Sequence, residues 1–312
     1  LIPCTDRKRL KPDVDLRARS LPLGSASDVA KEWMMRVASV ERKRLPSEVY
    51  CGRAYQEAAK AAYRLSGELA VISAGLGVVR ENQNIPSYSL TVAPGNEDTI
   101  FDRILCRCAT PEAWWSALKE AQEQNSGVDD VIRSKGSSIV LLALSANYAR
   151  LIRNDLIKLS KEDAGHLRIF GAGIAEHVPE HLADSVMPYD ERLNGADSPL
   201  PGTMSDFASR ALHHFAGLFE EGTLSGASCE EDSRQLVNLM STWRAPNIPL
   251  RERLTDEEVV HFILEHWEET AGRSGVSLRL LRDSGLACEQ SRFRDLFRRA
   301  GGLRDEEERS AA

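Results

Sequence analysis

Six consecutive residues near the start of the chain, Pro3-Cys4-Thr5-Asp6-Arg7-Lys8, place a thiol, a hydroxyl, a carboxylate and an ammonium within one short loop. On a loop that follows a strand, Asp6 can activate water while Thr5 and Lys8 anchor a substrate; the same residue types also make a solvated basic turn. Cys4 fits a small strand-end filler better than a nucleophile. A second group is Ser73-Ala74-Gly75-Leu76-Gly77, followed by Asn84-Ile85-Pro86-Ser87-Tyr88. Gly75 and Gly77 would let the backbone approach a flat or anionic ligand, although glycines also simply turn chains. Ser145, Asn147 and Tyr148 open a helix, where unpaired N–H groups favour anions; Ser145 serves equally as an N-cap.

Further along, His177-Val178-Pro179-Glu180-His181 spells the HxxEH zinc pattern. Pro179 opposes one continuous helix through both histidines, and no third ligand is evident, so a zinc site is not expected. Asp190 and Asp206 lie in polar clusters and can face a site; Asp190 can instead pair with Arg192, and Ser205 can cap a helix. His213-His214 reads as helix packing.

The elements that must position these residues follow from hydrophobic period. Four β-type runs stand out: Leu1 to Cys4, Leu69 to Ser73, Ser138 to Leu144 and Leu167 to Phe170. The third is apolar on both faces, as a central parallel strand must be. Amphipathic helices are expected over Ala54 to Leu65, Glu112 to Gln124 and Asn147 to Leu159. Strand–helix alternation argues for an α/β fold with a four-stranded parallel sheet between helices and a ligand edge at its strand ends. Residues 171–203, rich in Gly, Pro, Asp and Ser, read as a functional loop or linker. Beyond them come helices over Ser205 to Glu220, Glu231 to Trp243 and Thr255 to Thr270, the last opened by a capping box, Thr255-Asp256-Glu257-Glu258. A short helix ending at Gly285 and an arginine-rich one over Glu289 to Arg299 then form a helix-turn-helix-like pair, with Ser284 where an apolar residue is usual. The expected division is therefore an α/β domain over 1–203, a helical region over 204–304 and a disordered tail over 305–312.

Net charge is −7 over 312 residues, so the whole chain does not advertise nucleic acid. Basic residues concentrate locally, with Arg7, Lys8, Arg9, Lys11, Arg17 and Arg19 in the first twenty. No apolar run approaches a membrane span and no signal-peptide pattern opens the sequence, which predicts a cytoplasmic protein. The six scattered cysteines are expected as reduced thiols.

The succession PCTDRKR, then YCGRAYQEAAKAA from Tyr50, then LAVISAGLGVVRENQNIPSYSLTV from Leu69, resembles a domain of the archaeosine synthase group and its bacterial relatives. In that group a PC…K loop precedes an S…G-L-V…Y segment. The domain is similar in fold to uracil-DNA glycosylases, and within the group the chain looks most like the Brig-type anti-phage DNA glycosylases. The likeness covers roughly residues 1–170. It implies a DNA glycosylase acting on a modified base, glucosylated hydroxymethylcytosine of phage DNA among the candidates. Asp6, Asp190 and Asn84 are then the expected catalytic set. Thr5, Lys8, Ser73, Gly75, Gly77, Tyr88, Ser145, Asn147 and Tyr148 would hold the substrate, and Arg7, Arg292, Arg294 and Arg298 the DNA phosphates. No metal or organic cofactor is required; the partner is double-stranded DNA, with no membrane and no obligatory protein. Base exchange in nucleic acid, and a non-enzymatic DNA-binding regulator, stand as the alternatives.

Overall fold

The apolar tetrads over Ala70–Ser73 and Leu167–Phe170 are buried at every position, as strands covered on both faces require. They lie in a mixed α/β computed structural model that describes residues 1–106, 108–122, 126–136, 138–247 and 251–311, with backbone alone at 291 and 305–311. The chain divides into two compact units, Leu1–Pro246 and Asn247–Ala312.

The first unit contains, in order, β1 (Ile2–Pro3), α1 (Ala26–Ser39), α2 (Pro46–Val49), α3 (Arg53–Arg64), β2 (Ala70–Ser73) and β3 (Gly77–Arg80). There follow α4 (Pro111–Glu120), α5 (Val128–Arg133), β4 (Val140–Ala143), α6 (Ala146–Leu151), α7 (Arg153–Ile157), α8 (Lys161–Gly165) and β5 (Leu167–Phe170). The helices α9 (Phe207–Glu220) and α10 (Cys229–Met240) complete it. β1 pairs parallel with β2, and β4 parallel with β5. β3 was not anticipated: it returns antiparallel along β2, with Ser73 opposite Gly77. Its cause is local. The Ser73 hydroxyl takes the N–H groups of Gly75 and Leu76, and Gly77 adopts φ +70°, so the chain folds back in a three-residue loop.

Other departures have equally local reasons. The helix expected over Asn147 to Leu159 breaks at Ile152, where Asp155 N–H reaches back only three residues. The helix expected to Gln124 stops at Glu120, and Gln124 lies outside the described residues. Residues 171–203 form packed short turns whose Ile174, Leu182, Met187, Tyr189 and Leu193 are buried in the same core as the strands. For that reason the seam falls after Pro246 and not at 203; α9 and α10 bury Phe207, Phe215, Leu236 and Met240 in the first unit. Cys106 and Cys108 form a disulfide across one intervening residue, contrary to six reduced thiols, while Cys4, Cys51, Cys229 and Cys288 are free.

A missed helix, α1, contributes a buried face to the core. Ser25 caps it by accepting from Asp28 N–H, and Val29, Ala30, Trp33 and Val37 form its buried face. Trp33 and Trp114 are fully buried, and each indole donates to the hairpin loop: Trp33 Nε1 to the Gly75 carbonyl at 2.6 Å, Trp114 Nε1 to the Ala74 carbonyl at 2.8 Å.

The second unit contains β6 (Glu252–Arg253), α11 (Asp256–Glu265), α12 (Ser274–Asp283), β7 (Leu286–Ala287) and α13 (Gln290–Ala311) around Val259, Ile263, Leu281, Phe293 and Ala300. The Thr255–Glu258 capping box forms as expected. Gly285 makes the turn between α12 and α13 at φ +80°, and Ser284 is exposed there with its hydroxyl on the Leu280 carbonyl. α13 continues to Ala311 where a disordered tail from 305 was expected; Ala312 lies outside the described residues. Among the described residues no helix is long and apolar enough to cross a membrane.

Candidate functional site

Parallel strands deliver their carboxyl ends to one edge, so the residues after β1, β2 and β4 meet there. Cys4 Sγ lies 2.9 Å from Tyr148 Oη at the start of α6. Next to it, Ser73 Oγ is 2.6 Å from Tyr88 Oη, which is 2.9 Å from Tyr50 Oη. Ser73, Tyr50 and Tyr88 are essentially without solvent contact. Ser73 already accepts two backbone N–H groups, which fills both its lone pairs, so its own hydrogen goes to Tyr88. Burial, aided by the nearby Cys4, pushes Tyr50, Tyr88 and Tyr148 well above the ordinary phenol range, so all three remain hydroxyl donors at neutral pH.

Lys8 closes the cluster. The 7–9 segment runs beside 49–51, with Cys51 N–H on the Arg7 carbonyl and Arg9 N–H on that of Val49. This alternation turns Lys8 inward and leaves Arg7 and Arg9 exposed. Lys8 Nζ sits 4.3 Å from the Tyr88 ring centroid and 5.9 Å from that of Tyr50, and donates to the Thr5 carbonyl. Thr5 is committed as well, donating to the Arg7 carbonyl and lying against Gly52, where a β-carbon would meet it at 3.0 Å.

The Cys4–Tyr148 contact brings together the loop that carries Asp6 and Arg7 and the start of α6, which carries Ser145 and Asn147. Asp6 is exposed and forms no ion pair or hydrogen bond among the described residues. Ser145 precedes α6 without capping it, so its exposed hydroxyl is available. Asn147 is half-buried, with Arg150 at 3.5 Å from its carbonyl oxygen.

Several expected site residues serve elsewhere. A β-carbon on Gly75 would press on Trp33 and Tyr88, and one on Gly77 would strike Gln122, so both glycines admit neighbouring side chains and not a ligand. Tyr88 is buried beneath Lys8 and offers no open face to a flipped base; half-buried Tyr148 is the more exposed aromatic. Asn84 faces a separate groove. Asp190 is held by Arg192 through Nε and Nη2 at 2.8–3.0 Å, and this pairing holds its carboxyl below the ordinary range. Asp206 is engaged by Arg210 at 2.7 Å. His177 and His181 fall in separate turns on either side of Pro179. His213 binds Glu57 at 2.6 Å and His214 binds Tyr189 at 2.8 Å, both within the helical packing.

The terminal arginines are unequal. Arg292 is occupied by Asp256 at 2.7 Å and by the Leu254 carbonyl, and Arg298 pairs with Asp295 one turn away, whereas Arg294 is exposed. Sequence reasoning missed Tyr50, Trp33 and the engagement of Cys4. Tyr50 carried a usable signal, since Tyr50-Cys51-Gly52 directly precedes a strongly amphipathic helix, where α/β loops gather. No family model, no curated protein and no solved structure matches this chain.

Proposed function

We propose that the first unit is a DNA glycosylase that hydrolyses the N-glycosidic bond of a modified nucleobase, such as glucosylated hydroxymethylcytosine of phage DNA, leaving an abasic site in anti-phage defence. The observation that carries this reading is the free carboxylate of Asp6 on the same short loop as an inward-facing Lys8 that has no carboxylate partner among the described residues. Water oriented by Asp6 attacks C1′ and gives its proton to that carboxylate, the bond from C1′ to the base nitrogen breaks with its electron pair leaving on the base, and the Lys8 ammonium neutralises that developing charge. Asn147, Ser145 and Tyr148 supply donors and a ring edge for the extruded base. Commitment of Asp190 to Arg192 favours Asp6 as the catalytic acid residue.

A single four-stranded parallel sheet belongs to the same reading. It is supported by two bonds between β1 and β4, from the Leu1 ammonium to the Leu141 carbonyl (2.7 Å) and from Ala143 N–H to the Leu1 carbonyl (2.9 Å), which have the slanted spacing of a parallel ladder. For duplex DNA the phosphate contacts fall to exposed Arg7 and to exposed Arg294 of the helix-turn-helix-like pair.

The test is incubation with glucosylated phage DNA and with unmodified DNA. Alkali-labile sites should appear in the modified DNA and vanish with Asp6→Asn. Absence of such sites in both DNAs sinks the proposal, and incorporation of a labelled free base without abasic sites would replace it with base exchange.

A further inference from the structure

Away from the strand ends, a groove of about 760 Å³ opens between α1, the edge strand β3 and the turn that follows it. Lys31, Lys43 and Arg80 line it, and among the described residues no Asp or Glu does; Glu81 lines a different cavity. None of the three cations makes an ion pair among the described residues. Lys43 donates only to the Ala38 carbonyl at 3.5 Å, and Arg80 adds a minor share to the field of Lys135 that lowers the Glu68 carboxyl. Three like charges around one concavity, in a chain of net charge −7, repel one another unless an anion sits between them. Below them the floor is apolar, made by Met34, Val78, Ile85 and Pro86. Asn82, Asn84 and Gln122 add amide groups, each able to donate and accept.

We propose that this groove binds a single-stranded stretch of nucleic acid. Phosphates lie on Lys31, Lys43 and Arg80, base faces lie on Met34, Met35 and Val78, and the amides address base edges. The amide and apolar lining favours this occupant over an acidic peptide, whose side chains offer neither flat faces nor edges with mixed donors and acceptors. The volume suits a short run of about two nucleotides. The inference does not require the glycosidic chemistry.

The experiment is fluorescence anisotropy of a labelled oligothymidylate with the full chain across a salt series. With three phosphates neutralised, the logarithmic salt slope should fall by about 2 in Lys31→Gln/Lys43→Gln/Arg80→Gln, and affinity at low salt by ~10- to 100-fold. The single change Lys31→Gln, at an exposed position, should take about 0.7 from the slope without touching the fold. Lys161→Gln, an exposed position outside the groove lining, should leave oligothymidylate binding unchanged. An unaltered slope in both groove variants overturns the inference, as does failure of the wild type to bind. Displacement of the oligonucleotide by polyglutamate at equal charge also overturns it and assigns the groove to an acidic peptide. Alkali-labile sites are scored in a separate reaction, so either proposal can fail while the other stands.

Discussion

Replacing Ser73 by alanine removes one oxygen that three groups share. Its lone pairs accept from Gly75 N–H at 3.2 Å and Leu76 N–H at 3.0 Å, and its hydrogen goes to Tyr88 Oη at 2.6 Å. Gly75 and Leu76 are buried and Ser73 is wholly inaccessible, so water cannot take the place of the lost hydroxyl. Two stranded amides at roughly 1–3 kcal/mol each predict a destabilisation of about 2–6 kcal/mol for Ser73→Ala. Tyr88→Phe removes the acceptor of the Ser73 hydrogen and the partner of Tyr50 Oη, but these two hydroxyls can turn towards each other, so its cost should be smaller, about 1–2 kcal/mol. Urea unfolding followed by tryptophan fluorescence measures both, because Trp33 packs edge-on to the Tyr88 ring at 6.3 Å. Hydrogen exchange adds a local readout: Gly75 and Leu76 amides should lose protection in Ser73→Ala, while Val71 and Val79 in the ladder keep theirs. A Ser73→Ala protein within about 0.5 kcal/mol of wild type, or one less destabilised than Tyr88→Phe, would refute the lone-pair accounting.

Two more outcomes follow from buried charge. His214 is pushed down to about 4, first by burial and then by neighbouring His213, and its Nδ1 accepts from the protonated Tyr189 hydroxyl. A folded-state value below the ordinary 6.5 means the neutral imidazole stabilises the fold above that pH. Stability should thus fall by about 3 kcal/mol as pH drops from 6.5 to 4, and His214→Phe should flatten that limb in urea titrations; an unchanged limb would exclude His214 as its source. Arg168 and Asp232 form a fully inaccessible pair at 2.8 Å, with further bonds from the guanidinium to the Gly165, Leu167 and Gly226 carbonyls. Asp232→Ala should cost about 3–5 kcal/mol by leaving that cation unpaired, far more than Arg168→Met/Asp232→Leu, and equal losses for the two would contradict this account.

Long, regular signals carried over from sequence to structure. The strands at Leu69–Ser73, Ser138–Leu144 and Leu167–Phe170 appear within two residues of their expected ends, because uninterrupted β-branched and leucine runs leave little else to form. Short-range ambiguity is what defeated the rest. Ser73-Ala-Gly-Leu-Gly77 has the composition of a ligand loop and of a hairpin alike, and only the partner of the Ser73 hydroxyl separates them. The packing of Ile174, Leu182 and Leu193 was hidden by irregular spacing inside a Gly- and Pro-rich stretch. Asp6 and Lys8 were legible as residues of a strand-end loop because the strand that ends at Pro3 places that loop. The quenching of Arg298 by Asp295 was also legible, as an i,i+3 pair, but arginine count overshadowed it. Local charge gives the same warning: Asn247 to Ala312 carry 11 arginines against 14 acidic residues.

The two indoles that bond the hairpin carbonyls bear on the thermodynamics of binding. Trp33 and Trp114 come from different helices, yet both terminate on consecutive peptide units of the same turn. A turn restrained from two sides has few conformations left to lose, so a ligand arriving above it incurs almost no ordering entropy there. For the proposed substrate, that cost would be concentrated in the exposed Asp6–Arg7 segment and in the ligand itself. Affinity gained by stiffening the protein is therefore to be sought at residues 5–7, and substitutions in the hairpin would register as lost stability before they register as weaker binding.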